Sequence, residues 1–291
     1  MQARHFFEYI VVRGLYGIFA ALPLRTASAC GGWIGRQLGG VFPATQIACN
    51  NLLRVMPDLQ KSEREKIITD MWDNLGRGFA EYPHLKTIAQ GQGGAQIDVV
   101  GLENFIALRE MGRGGIIVTA HLANWEFGPY LANKFNVPTH VVYRPPNNVL
   151  VDGLLARARQ GGVISNIAKG PSGAKEIIHC LKNHAFIAML IDQKMNDGIE
   201  VPFLGLPAMT APAVAQLAIK YQVPICLVRP ERINGIHFRW TAFPPFIPSV
   251  PEDKDKATAI LGVMTYLNDQ IGAWIRERPS QWLWLHRRWG K

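Results

Sequence analysis

His121 and Glu126 stand five residues apart at the end of the run GIIVTAHLANWE, residues 115–126. An imidazole beside a carboxylate makes a base that works near neutral pH. The carboxylate accepts the N–H of one ring nitrogen, and the other nitrogen takes a proton from a hydroxyl nucleophile. This pairing constrains the backbone. Residues five apart on a continuous helix point about 140° away from each other, since each advances about 100°. The two side chains can meet only if His121 lies on a turn and Glu126 in the first turn of the helix that follows. A lone His-x-x-x-x-Glu serves a structural pair as readily as a catalytic one, so the surrounding elements decide.

The elements favour chemistry. Residues 116–120 are apolar or small and follow Gly114-Gly115, the pattern of a strand covered on both faces. Asn124 is a suitable N-cap for a helix carrying Phe127, Tyr130 and Leu131. His121 then sits at the carboxyl end of a strand, where open parallel sheets bind ligands. From residue 97 onward strand-like runs occur at 97–100, 116–120, 139–143, 163–164, 186–191, 224–228 and 236–242. Helix-like runs fall at 102–111, 125–135, 148–160, 172–183, 211–222 and 252–278. This alternation predicts an α/β fold: a mixed, mostly parallel central sheet flanked by helices, with an N-terminal helical membrane-associating segment.

Other chemistry-bearing residues follow predicted strands. Arg144 follows 139–143, and Arg157 and Arg159 close the next helix. An Arg at such an edge can hold a phosphate or a developing oxyanion, or simply face helix-end carbonyls. Asp192-Gln193 follows 186–191. A carboxylate there is expensive without a partner, so Asp192 either orients a loop or joins the chemistry. The segment Ile199–Gly205 could wall an acyl groove, with core packing as its default role. Ser62-Glu63-Arg64-Glu65 has the form of a capping box opening a helix with Ile67, Ile68, Met71, Leu75 and Phe79 on one side.

The composition bounds the partners. The 291 residues are 48% apolar and only 18% charged, with eight tryptophans and a net charge of +9. Such a chain suits an anionic, apolar partner: phosphate-bearing lipid, a membrane surface, nucleic acid or an acidic carrier protein. Residues 4–24 admit a signal peptide, a spanning helix, a core helix or an apolar helix lying in the bilayer surface. Glu8, Arg13 and Arg25 weigh against the first, and the uninterrupted run from Gly14 to Leu24 is short for the second. The surface-lying reading is preferred, with Arg4, Arg13 and Arg25 reaching headgroups. The ending QWLWLHRRW, residues 281–289, reads as a membrane-interface belt or a nucleic-acid platform, and the apolar N-terminus favours lipid. The four cysteines lack paired spacing, and the histidines lack Cys/His/Asp ligand spacing. No metal, no cofactor and no phosphate-cradling glycine loop are expected.

The block His121-Leu122-Ala123-Asn124-Trp125-Glu126 resembles the His-Leu-Gly-Asn-Trp-Glu block of the bacterial late lipid A acyltransferases, within the lysophospholipid acyltransferase superfamily. Val142-Tyr143-Arg144-Pro145, Arg157-x-Arg159, Asp192-Gln193, residues 201–205 and residues 281–289 match in order. The resemblance covers most of the chain. It departs at Ala123, where Gly is usual, and at Lys194. It implies transfer of a fatty acyl group from acyl carrier protein to a hydroxyl of a phosphorylated lipid A precursor. That reaction belongs to the cytoplasmic face of the bacterial inner membrane and uses no cofactor, metal or nucleic acid. His121 is then the base and Glu126 its orienter. Asn124, Arg144, Arg157, Arg159, Asp192 and Gln193 are the substrate-binding candidates. Residues 1–45 are the membrane-associating helices and 46–291 the acyltransferase domain. The alternatives are a different lipid acceptor or a non-catalytic lipid-binding protein.

Overall fold

The computed structural model describes residues 3–253 and 255–290. In chain order, α1 (Ala3–Ala21), α2 (Leu24–Leu38), α3 (Ala44–Val55), α4 (Lys61–Glu81) and α5 (Leu85–Ala89) precede the sheet. Then follow β1 (Gln96–Val100), α6 (Leu102–Glu110), β2 (Gly115–Thr119), α7 (Gly128–Lys134), β3 (Thr139–Tyr143), α8 (Val149–Ala158), β4 (Val163–Ala168), α9 (Pro171–Lys182) and β5 (Phe186–Leu190). A hairpin of β6 (Lys194–Phe203) and β7 (Leu206–Thr210) leads to α10 (Ala213–Tyr221), β8 (Ile225–Asn234), β9 (His237–Ala242) and α11 (Lys256–Glu277).

Seven strands form one sheet in the order β1-β9-β8-β2-β5-β3-β4. β8, β2, β5, β3 and β4 are mutually parallel, while β9 runs antiparallel to β8 and carries β1 parallel to itself. The mixed, mostly parallel sheet anticipated from the alternation is therefore present, with helices on both faces. The side chains of β2 show why. Ile116 and Val118 enter a core with α10 and α11, whereas Ile117 faces the opposite core with Phe105, Phe127 and Leu131. A strand buried on both faces needs the unbroken apolar run seen in its sequence.

The β6–β7 hairpin was not anticipated. Pro202 and Pro207 argue against a ladder, but these strands form a separate two-stranded sheet with no central position to interrupt. Val201, Phe203 and Leu204 are buried in the main core while Glu200, Pro202 and Gly205 are exposed, so the segment covers the core with its apolar side chains rather than walling a groove. The terminal cluster is corrected in the same way. Trp282, Trp284 and Arg288 have no exposure, and Trp289 is buried against Phe203. Arg288 donates to Met209 O and to Thr210 Oγ1 at 2.8 and 2.7 Å. The tail is core, not a membrane belt, because it threads back beneath the end of β2, where Leu122 pairs with Trp282.

α4 opens two residues earlier than Ser62 suggests. Glu63 Oε2 accepts the Gln60 backbone N–H at 2.7 Å, which makes Gln60 the cap. α2 crosses α4 at backbone contact: a Cβ on Gly31 would stand 2.4 Å from Gly76 O, so only glycine fits there. No described helix is long and apolar enough to cross a membrane. α1 nevertheless exposes Phe6, Phe7, Ile10, Val11, Leu15 and Ile18, and α2 and the turn after it expose Trp33, Ile34, Leu38, Val41 and Phe42.

Candidate active site

The parallel strands bring the loops after β2, β3, β4 and β5 to one edge of the sheet. His121, Arg144, Lys169 and Gln193 all line one cavity there, of about 370 Å³. Its walls are period-two positions of neighbouring strands: Ile117 and Thr119, Ala188 and Leu190, Thr139, Val141 and Tyr143. Gly128 and Ala132 of α7, Leu155 of α8 and Trp240 of β9 close it. From Thr139 to Tyr143 the strand rises four times by about 3.3 Å, so the cavity runs about 13 Å beneath the site.

The expected contact between His121 and Glu126 is not made. His121 Nδ1 lies 2.8 Å from Asp192 Oδ1, and Glu126 turns instead to Arg159. The backbone explains this. Asn124 caps a short 3-10 turn over Trp125–Phe127 before α7 begins at Gly128, and that turn rotates Glu126 away from the imidazole. Asp192 follows the strand directly beside β2, so its carboxylate reaches across to His121. It also accepts the His121 backbone N–H at 3.0 Å and Trp282 Nε1–H at 2.7 Å. Burial opposes the charge on Asp192, yet the imidazole beside it and these donated bonds hold its carboxyl below the usual range. With Nδ1–H given to Asp192, His121 Nε2 keeps its lone pair, and Gln193 Nε2 approaches it at 3.4 Å. Trp125 stands edge-on to the imidazole at 4.9 Å.

Glu126 and Arg159 form a two-pronged pair, Nε to Oε2 at 2.8 Å and Nη2 to Oε1 at 2.7 Å. The guanidinium lies between the rings of Tyr82 and Tyr143, 5.9 and 5.6 Å from their centroids. Arg144 and Lys169 carry no ion pair among the described residues. Arg157 is exposed and does not line the cavity, so the structure does not bring it to the others. Asn124 does not line it either. It is 2% exposed and donates to Glu81 Oε2 at 2.8 Å. Lys169, Tyr82, Trp240 and Glu81 join the site without having stood out in the sequence. Composition points Trp282 to a surface, yet its indole N–H is the partner that a buried strand-end carboxylate demands. Ala123 has φ +49°, a left-handed conformation that glycine adopts without strain and alanine does not. Lys194 donates to Gly290 O at 2.7 Å, which ties the tail to β6.

Asp192 and Glu81 are both fully buried, and both carboxyls are held below their ordinary values, Glu81 against the cost of burial by Arg232. The unfolded chain therefore binds more protons at these groups than the folded one. The stability they contribute is complete above about pH 5 and is lost as pH falls through and below the ordinary carboxylate range. Each tenfold difference in proton affinity between the folded and unfolded chain is worth about 1.4 kcal/mol. Urea midpoints should fall from pH 6 to pH 4, and Asp192→Asn should flatten that slope.

The chain is similar to known acyltransferases of lipid A biosynthesis. The chain is 25% identical over 282 residues to the lipid A biosynthesis palmitoleoyltransferase of Escherichia coli strain K12, covering 94% of this chain and 88% of that one. It is 25% identical over 260 residues to the lipid A biosynthesis lauroyltransferase of the same strain, covering 84% and 78%. The crystal structure of the 1-acyl-sn-glycerophosphate acyltransferase PlsC from Thermotoga maritima aligns with a TM-score of 0.42 at 12% identity, over 88% of this chain and 100% of that one. The family model for bacterial lipid A biosynthesis acyltransferases matches residues 2–291, and the chain belongs to that family.

Proposed function

We propose that the chain performs a late, secondary acylation, moving a fatty acyl group from the thioester of an acyl carrier protein to a hydroxyl of a lipid A precursor. The observation that carries this reading is an imidazole bonded to a buried carboxylate at the mouth of a long, mainly apolar cavity. His121 Nε2 takes the proton of the acceptor hydroxyl as that oxygen attacks the thioester carbonyl carbon. The new C–O bond forms and the carbonyl electrons move to oxygen. Asp192 orients the ring and stabilises the imidazolium, the role of the third member in a nucleophile–base–acid arrangement. Arg159 has two of its nitrogens committed to Glu126. Its remaining Nη1–H group, held by that pair and two tyrosines, is a preorganised donor for the developing oxyanion. When the intermediate collapses, the C–S bond breaks and the departing thiolate takes from His121 the proton that the acceptor hydroxyl gave up.

Arg144 and Lys169, the cations without ion-pair partners at the mouth among the described residues, bind phosphate of the acceptor. The exposed apolar faces of α1 and α2, with Arg4 and Arg13, lie in the surface of the inner membrane on its cytoplasmic side, where a soluble carrier can reach the site. Gln193 stays beside the base as a substrate contact.

The test is a purified-protein reaction with acyl carrier thioesters of graded length and a lipid A precursor lacking one secondary chain, read by mass spectrometry. The product gains one acyl chain. Transfer only to a lysophospholipid, or no transfer at all, would refute the acceptor assignment. The same assay reads the cavity. Ala188→Leu places its side chain across the lumen from β5, so the preferred chain becomes shorter. Each methylene that no longer fits costs about 1–3 kcal/mol in discrimination.

A further inference from the structure

A buried polar network lies beneath the His121 loop, and the mechanism above does not use it. Glu81, the last residue of α4, has no exposure, and its carboxylate accepts four hydrogen bonds. Arg232 Nη1 and Nη2 donate to Oε1 and Oε2 at 2.6 and 2.9 Å. Ser28 Oγ of α2 donates to Oε1 at 2.7 Å, and Asn124 Nδ2 donates to Oε2 at 2.8 Å. Arg232 reaches this point because β8 runs parallel to β2 and continues beyond its end, where Arg232 still pairs with Phe238 of β9. It also donates from Nε to Asn74 Oδ1 at 2.9 Å, while Asn74 Nδ2 donates to Ala123 O at 3.2 Å. The other side of Asn124 is equally engaged: its Oδ1 accepts the Glu126 backbone N–H at 3.2 Å.

The two halves of the site, His121 with Asp192 and Glu126 with Arg159, hang from either end of the turn Leu122–Trp125. That turn includes the left-handed Ala123, a conformation that persists only where its surroundings hold it. Asn74 holds Ala123 O from outside, while Asn124 fastens the turn from within it, and Glu81 is the anchor of Asn124. A buried ion pair contributes little net stability over apolar residues of like volume, so stability alone does not account for it.

We propose that Glu81 is a positioning residue for the reaction: through Asn124 it fixes the turn that sets His121 against Glu126–Arg159, and through Ser28 it ties that turn to the N-terminal helices. This rests on the reading of His121 as the base. Glu81 touches neither substrate nor reacting atoms. Its effect is one of registration, and misplacement by about 1 Å can cost about 100-fold in rate.

The test separates positioning from stability by comparing two variants that both remove the ion pair. Glu81→Met with Arg232→Met leaves no charge unpaired and no acceptor for Asn124. Glu81→Gln with Arg232→Met also lacks the pair but keeps an oxygen for Asn124. The expected result is a kcat lowered about 100-fold in the first, with KM little changed, and restored to within a few-fold of wild type in the second. Proton NMR of the His121 ring N–H bonded to Asp192 supplies a readout that needs no turnover: its downfield resonance shifts or broadens in the first variant and returns in the second. Asn124→Ala, which leaves Glu81–Arg232 intact, should reproduce the first result if the paired variants fold poorly. Equal kcat and an equal resonance in both paired variants, or an Asn124→Ala protein with wild-type kcat and resonance, overturns the proposal. A wild-type protein without transferase activity but with the same pattern of resonances would refute the role of His121 and leave the positioning geometry standing.

Discussion

Asp192→Asn lowers kcat about 10³- to 10⁴-fold, nearly as far as His121→Ala, and the double variant is no slower than the worse single one. The size follows from the geometry. Asp192 Oδ1 sets the tautomer of His121, because a carboxylate can only accept from Nδ1–H. An asparagine amide in its place can turn its NH₂ towards Nδ1. The ring proton then moves to Nε2, where the lone pair is needed. Asparagine still fills the volume and can still accept from Trp282 and from the His121 backbone, which hold Oδ2 now. The fold should survive, as measured by circular dichroism and urea midpoint at pH 7, while single-turnover acyl transfer collapses. Non-additivity is the sharper part of the result. If Asp192 acted on substrate independently of His121, the two losses would multiply.

The partnership was only half legible in the sequence. Both residues stood out by type and position, since each follows an apolar run that had to be a buried strand. Their pairing depends on β2 lying next to β5, and strand order is not written in local periodicity: residues 121 and 192 are joined only by the sheet. The nearer carboxylate, Glu126, was the natural partner by spacing, and the extra 3-10 turn at Trp125–Phe127 removed it. The central strands β2, β5 and β8 could be read from their apolar runs, and β1, β4 and β9 from shorter runs rich in β-branched and aromatic residues. The β6–β7 hairpin could not, since its prolines lie in a two-stranded ribbon. Trp282 was misassigned for a related reason. Aromatic and basic residues together have the same composition at a membrane surface and in a core where the indoles and Arg288 find polar partners.

Arg159→Met should lower kcat about 10²- to 10³-fold, the usual loss when one donor to a developing oxyanion is removed. Glu126→Gln separates the two readings of Glu126. If Glu126 oriented the imidazole, its loss would match that of Asp192→Asn and deform the acidic limb of the pH–rate profile, where the base becomes protonated, because the titrating group would have lost its partner. If it holds Arg159, as the two bonds at 2.8 and 2.7 Å indicate, the profile keeps its shape and the rate falls uniformly. The loss should be smaller than that of Arg159→Met, since the guanidinium remains between Tyr82 and Tyr143 with its charge intact. Arg159→Lys adds a second constraint. Lysine keeps the charge but cannot fork Glu126 and present a third donor at once. It should therefore resemble Arg159→Met more than wild type, and a lysine variant with full activity would mean that Arg159 supplies charge alone and that the fork with Glu126 is dispensable.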